Sequence, residues 1–206
     1  MSRRTLLLAS CIALAIVVNP LTAQAATTTT TTTTNAPQCS GIANDQQSQH
    51  HYHHATAQDI VSKLNLIPNV EGGYYVESFR DPALEPGTNR SVSTAIYYLL
   101  EGSNGPSVWH RVDASEVWHY YAGARLVLQL SSNNGTPTRE HVLGPNLFAG
   151  DGDGDGERPQ VVVAEWEWQR AISCGEWTLV GTTVAPAFDP EGYELAPDGW
   201  EPNDGT

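Results

Sequence analysis

Between Tyr74 and Val184, short runs of β-branched and aromatic residues alternate with turn signals about every ten residues, a rhythm that confines the chain to a β-sandwich or a β-barrel. The runs are Tyr74 to Arg80, Ser91 to Leu100, Arg125 to Leu130, Thr138 to Leu143, Pro159 to Ala164, Trp166 to Ile172 and Trp177 to Val184. Glu71-Gly72-Gly73 supplies a turn before the first run, and Asn133-Asn134-Gly135 a tight turn between two later ones. Upstream, Thr56 has the chemistry of an N-cap, with Ile60, Val61 and Leu64 on one helical face and an end near Leu66, before Pro68. The 206 residues suit one all-β domain with appendages, and no second domain is needed.

One stretch concentrates chemistry. Trp109 to Gly123, WHRVDASEVWHYYAG, holds His110, Arg111, Asp113, Glu116 and His119 among four aromatic rings. Its two halves read as strands about a polar Asp113-Ala114-Ser115 turn, the pattern of a hairpin. Strand side chains alternate faces, so the even separation of His110 and Glu116 turns both toward one interior if the turn adds no bulge. His119 and Arg111 have the opposite parity; Arg111 reaches the interior only if a strand end lets it bend round a mouth. Two ionisable groups aimed into a barrel need a reason to be there. An imidazole exchanges a proton near neutrality and a nearby carboxylate orients it, so His110 and Glu116 form a candidate catalytic pair. Trp109, Trp118, Tyr121 and Trp177 are expected in the core or in an interface, because such rings bury large areas. His119 is expected to satisfy a hydrogen bond between sheets, with ligand contact as the alternative.

The spacing from Glu116 to Gly123 is similar to the first motif of the cupin superfamily, in which a glutamate follows a His-x-His pair and precedes a glycine. His110 falls on the first histidine and Val112 replaces the second. The blocks EGGYYVESFR (71 to 80), TAIYYLL (94 to 100), LGPNL (143 to 147), ERPQVVV (157 to 163) and TLVGTTVAPAFD (178 to 189) resemble one cupin branch, domain of unknown function 985. The resemblance runs from about residue 56 to 196. It implies a double-stranded β-helix, an RmlC-like jelly-roll barrel, paired as a homodimer; it supplies no reaction. The second cupin motif, Pro-x-Gly and then a histidine three residues on, reads here Ala164-Glu165-Trp166 and then Gln169.

That departure bears on cofactors. A transition-metal centre wants about three protein ligands, commonly imidazoles and a carboxylate. The matching positions offer His110, Glu116 and Gln169, of which the last is a feeble neutral ligand, so no cofactor is expected. Metal-free cupins of the sugar-nucleotide 3,5-epimerase kind resemble this chain in having a pocket histidine at the start of the corresponding hairpin. On that likeness Tyr74, Tyr120 and Gln169 become candidates for positioning a ligand or donating a proton. Three functions stay open: a barrel with acid/base chemistry of isomerase or epimerase type on a carbohydrate-like substrate, a binding or storage module without catalysis, and a metal-dependent oxygenase or isomerase.

The ends of the chain set the context. MSRR followed by TLLLASCIALAIVV and Ala23-Gln24-Ala25 has the form of a secretory signal peptide over residues 1–25, with Cys11 as part of a rival lipoprotein box. The threonine run from Thr27 to Thr34 opens a polar linker, residues 26–54, too poor in apolar groups to order itself; the barrel domain is expected over residues 55–197 and a fraying acidic tail over 198–206. His50 to His54 in the linker is a weak metal-binding candidate, and Asp151 to Gly156 resembles the start of a calcium loop but has Val162 where an EF-hand loop needs its glutamate. Asn89 begins an N-glycosylation sequon. A net charge of −13 argues against nucleic acid and anionic membranes as partners, and the exported chain would lose Arg3 and Arg4 as well. Beyond the leader, Cys39 and Cys174 make an even pair in an oxidising compartment. One intramolecular disulfide is one reading; separate thiols, or an intermolecular bridge from Cys39, are the others.

Overall fold

The computed structural model describes Cys39, residues 55–148 and residues 156–205. The expected leader, the linker apart from Cys39, with its His50 to His54 cluster, and residues 151–155 of the acidic loop lie outside the described residues.

Helix α1, Ala57–Leu64, starts at the expected cap. Asp59 N donates to Thr56 Oγ1 at 3.2 Å and Thr56 N to Asp59 Oδ2 at 2.8 Å, a reciprocal box that satisfies two end donors. The helix closes at Asn65, whose φ of 55° is left-handed. Ala57, Ile60, Val61 and Leu64 pack on Leu99, Ala122 and Trp177, so the helix covers the outside of a sheet.

The strands are β1 Ile67–Pro68, β2 Tyr74–Arg80, β3 Thr94–Glu101, β4 His110–Val112, β5 Ser115–Gly123 and β6 Leu126–Ser131. They continue with β7 Arg139–Leu143, β8 Gln160–Val163, β9 Trp168–Ser173, β10 Trp177–Ala185 and β11 Tyr193–Leu195. Among the described residues they form two antiparallel sheets, ordered β1-β2-β3-β10-β5-β8 and β11-β4-β9-β6-β7. This is the all-β jelly roll with one short helix that the sequence predicts. The filling lies between the sheets: Leu126, Leu128 and Leu130 of β6 meet Trp118 of β5, Tyr98 of β3, Val163 of β8 and Val180 of β10.

Two expectations are corrected. Asp113-Ala114-Ser115 is no hairpin turn, since β4 pairs with β9 and β11 while β5 pairs with β10 and β8. Asp113 accepts both Arg90 Nη1 at 2.9 Å and Nη2 at 2.7 Å, and its own N–H donates to Gly192 O at 2.9 Å. Those bonds carry the chain across the end of the barrel instead of back along β4. The second correction concerns the tail, which is docked from Ala196 to Asn203. Trp200 lies 4.3 Å, centroid to centroid, from Trp168. Glu201 accepts from Trp109 Nε1 at 3.0 Å and from Arg170 Nη1 at 2.7 Å, and Asn203 N donates to Asn133 Oδ1 at 2.7 Å. Acidic composition suggested a solvated end, but here the acid is matched to waiting donors. Cys39 and Cys174 are joined by a disulfide spanning 135 residues.

Candidate functional site in the barrel

His110 opens β4 facing inward, its side chain 4% exposed. Nδ1 lies 3.0 Å from Val108 O, and because a carbonyl only accepts, the proton on Nδ1 is fixed there. Nε2 is therefore the nitrogen free to exchange a proton, and it faces Glu71 Oε2 at 3.5 Å. Glu71 comes from the loop before β2. That turn is built on Gly73, whose φ is 68° and where a Cβ would lie 2.3 Å from Leu99 O. One residue links the pair, since Val108 N donates to Glu71 O at 2.8 Å while Val108 O holds the His110 ring.

Glu71 Oε1 also accepts the Tyr193 hydroxyl at 3.0 Å. Burial, and then the Glu71 charge, hold the Tyr193 phenol well above its ordinary titration range. Tyr98, whose hydroxyl donates to Gly72 O at 2.9 Å, is raised by burial in the same way.

From the opposite sheet, β5 presents Glu116 and Trp118 inward, two residues apart on one face. Trp118 Nε1 donates to Gln169 Oε1 at 2.8 Å, and Gln169 Nε2 donates to Glu116 Oε2 at 2.6 Å. An indole N–H is a donor only, so this chain fixes which end of the Gln169 amide meets the carboxylate. Gln169 is fully buried on β9, directly across the ladder from His110. Burial pushes the Glu116 carboxyl above the usual carboxylate range, against the pull of His110 and of hydrogen bonds from Thr182 and Gln169.

The structure thus brings together His110, Glu116 and Gln169, and adds Glu71, Tyr193 and Tyr98. The other candidates lie elsewhere. Tyr74 packs under α1, its hydroxyl accepting from Gln58 Nε2 at 3.3 Å. Tyr120 has the inward parity of Glu116, but its hydroxyl donates to Gly123 O at 2.6 Å and it sits about 13 Å further along the strand. His119 faces outward, as its parity predicts, and its Nε2 lies 3.5 Å from Thr183 Oγ1 of β10 in the same sheet, so the bond expected between sheets falls within one. Arg111 is also outside, bonded through Nε to Glu194 Oε2 at 2.7 Å and lying 4.7 Å from the Trp168 ring centre. Glu71 was hidden in sequence because loops carry no parity; a carboxylate immediately before a Gly-Gly turn was its only signal.

The positions that match the cupin motif ligands do not make a full ligand set for a transition metal. Val112 has no ligating atom, Gln169 Oε1 is taken by Trp118, and one oxygen of Glu116 is taken by Gln169. Among the described residues no group of three His, Cys, Asp or Glu side chains is arranged to hold a metal ion.

Two facing sheets closed around an inward imidazole and inward carboxylates define a double-stranded β-helix of the cupin kind. The chain belongs to the cupin superfamily, in the family described as Cupin superfamily (DUF985), whose model matches residues 58–196. A crystal structure of a Shewanella oneidensis protein is similar, with 32% identity and a TM-score of 0.61, covering 69% of this chain and 85% of that one. A hypothetical protein from Leishmania major is also similar, at 28% identity and TM-score 0.58, covering 68% and 86% respectively. Among curated proteins none matches the chain significantly.

Proposed function

We propose that this chain is an exported cupin that holds a small, hydroxyl-bearing molecule inside the barrel and moves a proton on it, as an isomerase or epimerase does. One observation carries the reading: His110 Nε2 faces the Glu71 carboxylate at 3.5 Å while Nδ1 is pinned to a backbone carbonyl. That leaves one ring nitrogen to take a proton from a carbon beside a carbonyl and return it, to the same carbon or its neighbour. The imidazole ends as it began, and no oxidant or reductant is consumed. Glu71 steadies the ring when it is charged, and Glu116 bonds a substrate hydroxyl from the opposite wall. The Cys39–Cys174 disulfide supports export, since such bonds persist in oxidising compartments.

The test is proton exchange in deuterated solvent, monitored by NMR on neutral aldoses, ketoses and other hydroxy-carbonyl compounds that raise the melting temperature. Wild type is expected to place deuterium on carbon, and His110→Gln to slow this by about 100-fold or more. A ligand that binds through His110 without exchange would leave a binding module, a reading favoured by the saturated Trp118–Gln169–Glu116 chain. Elemental analysis finding one equivalent of metal in wild type and none in His110→Ala would establish the metal-dependent alternative instead.

A further inference from the structure

The charges around the barrel say what kind of group it admits. Glu71 and Glu116 turn inward beside a single imidazole, His110. Among the described residues, the cations that would balance an incoming anion are engaged elsewhere. Arg80, Arg90, Arg111, Arg139 and Arg170 are each bonded to a carboxylate: Glu77, Asp113, Glu194, Glu167 and Glu201 respectively. Arg125 donates to Cys39 O and Arg158 to Gly156 O, while Lys63 lies in the last turn of α1, on the outside of the barrel. The N-terminus of α1, the other common anion site, is already capped by the Asp59 carboxylate.

We propose, building on the reading above, that the barrel selects by charge, and that the group reaching Glu71, His110 and Glu116 is an uncharged, hydroxyl-bearing one, as in a neutral saccharide. A hydroxyl suits both partners, donating to a carboxylate or to the unprotonated Nε2, and accepting from Nε2 once that nitrogen carries a proton. A phosphate or carboxylate has only acceptors to offer and would be buried against the acceptor oxygens of Glu71 and Glu116 in a poorly solvated interior, with its own charge uncompensated. Selection against negative charge sets this chain apart from the sugar-nucleotide enzymes that its pocket histidine resembles. A ligand carrying a diphosphate would have to leave that part outside the barrel.

The experiment is calorimetric titration of matched probes, each with and without negative charge: glucose and glucose 6-phosphate, ribose and ribose 5-phosphate, galactose and galacturonate. Wild type, Glu71→Gln, Glu116→Gln and His110→Gln are compared, each checked for folding by its melting curve. Neutral members are expected to bind wild type about tenfold or more tighter than their charged counterparts, a difference of about 1.4 kcal/mol. Removing either carboxylate is expected to narrow that gap, so a misfolded Glu71→Gln would leave Glu116→Gln to decide. A charged member that binds wild type more tightly than its neutral partner, and is lost in His110→Gln, overturns the charge inference and leaves the barrel site standing. No binding by any probe to wild type or to the carboxylate variants removes the barrel as a ligand site, and this inference with it.

Discussion

A carboxyl group as deeply buried as that of Glu116 titrates differently in the folded and unfolded chain, and this makes its state measurable. Burial raises the folded-state value above the ordinary 4.5, so the folded protein holds that proton more readily than the unfolded chain does. The contribution of Glu116 to stability is therefore fullest below pH 4.5 and is lost as pH rises through the folded-state value. Glu116→Gln keeps an acceptor for Gln169 and removes the titration. It is expected to melt higher than wild type at about pH 7 and no differently at about pH 4. Thermal scans across pH check this, and a gap that stays constant would contradict it. Gly123 gives a second prediction. Its φ is 91°, and a Cβ there would lie 2.4 Å from Trp177 O and 2.5 Å from the Trp177 ring. Gly123→Ala is expected to cost about 2 kcal/mol or more by chemical denaturation. At this scale His110, Glu116 and Gln169 were legible from their places in the two motifs, whereas the parity joining His110 to Glu116 assumed a hairpin that β4 and β5, in different sheets, do not form. Glu71 and Tyr193 were not, because their positions depend on a loop and on a strand of three residues.

Elements were easier to find than their partners. Period-two patterning marks a strand and its buried face, which is why β2, β6, β7 and β10 fall close to their expected limits. It does not say which strand lies alongside, and so the segment from Trp109 to Gly123 reads as a hairpin although its halves belong to different sheets. The clamp that decides this, Arg90 on Asp113, joins residues 23 apart and has no periodic signature. The C-terminal strap was missed for a related reason, since its anchors are Trp168, Arg170 and Asn133 on other elements. Trp200→Ala is expected to lower stability by about 2 kcal/mol, less than for a fully buried ring, because Trp200 is half-buried against Trp168 and Trp109. Urea denaturation measures it; an unchanged midpoint would mean that the strap does not hold.

For the whole molecule, the Cys39–Cys174 bond ties a segment well ahead of the barrel to the connection between β9 and β10. Closing a loop of that length in the unfolded chain is worth about 3 to 5 kcal/mol on the chain-entropy account. Replacing both cysteines by serine is expected to lower stability by that amount, measured against denaturant at equal pH, and a loss below about 1 kcal/mol would contradict the account. The path from Val112 to Ser115 has a consequence of its own. It sends His110 and Glu116, close neighbours along the chain, to opposite walls, so their meeting depends on the sheets being docked and not merely formed. On the function proposed above, ligand capture would gauge closure: in mild denaturant at constant pH it should vanish while the far-ultraviolet signature of strands persists.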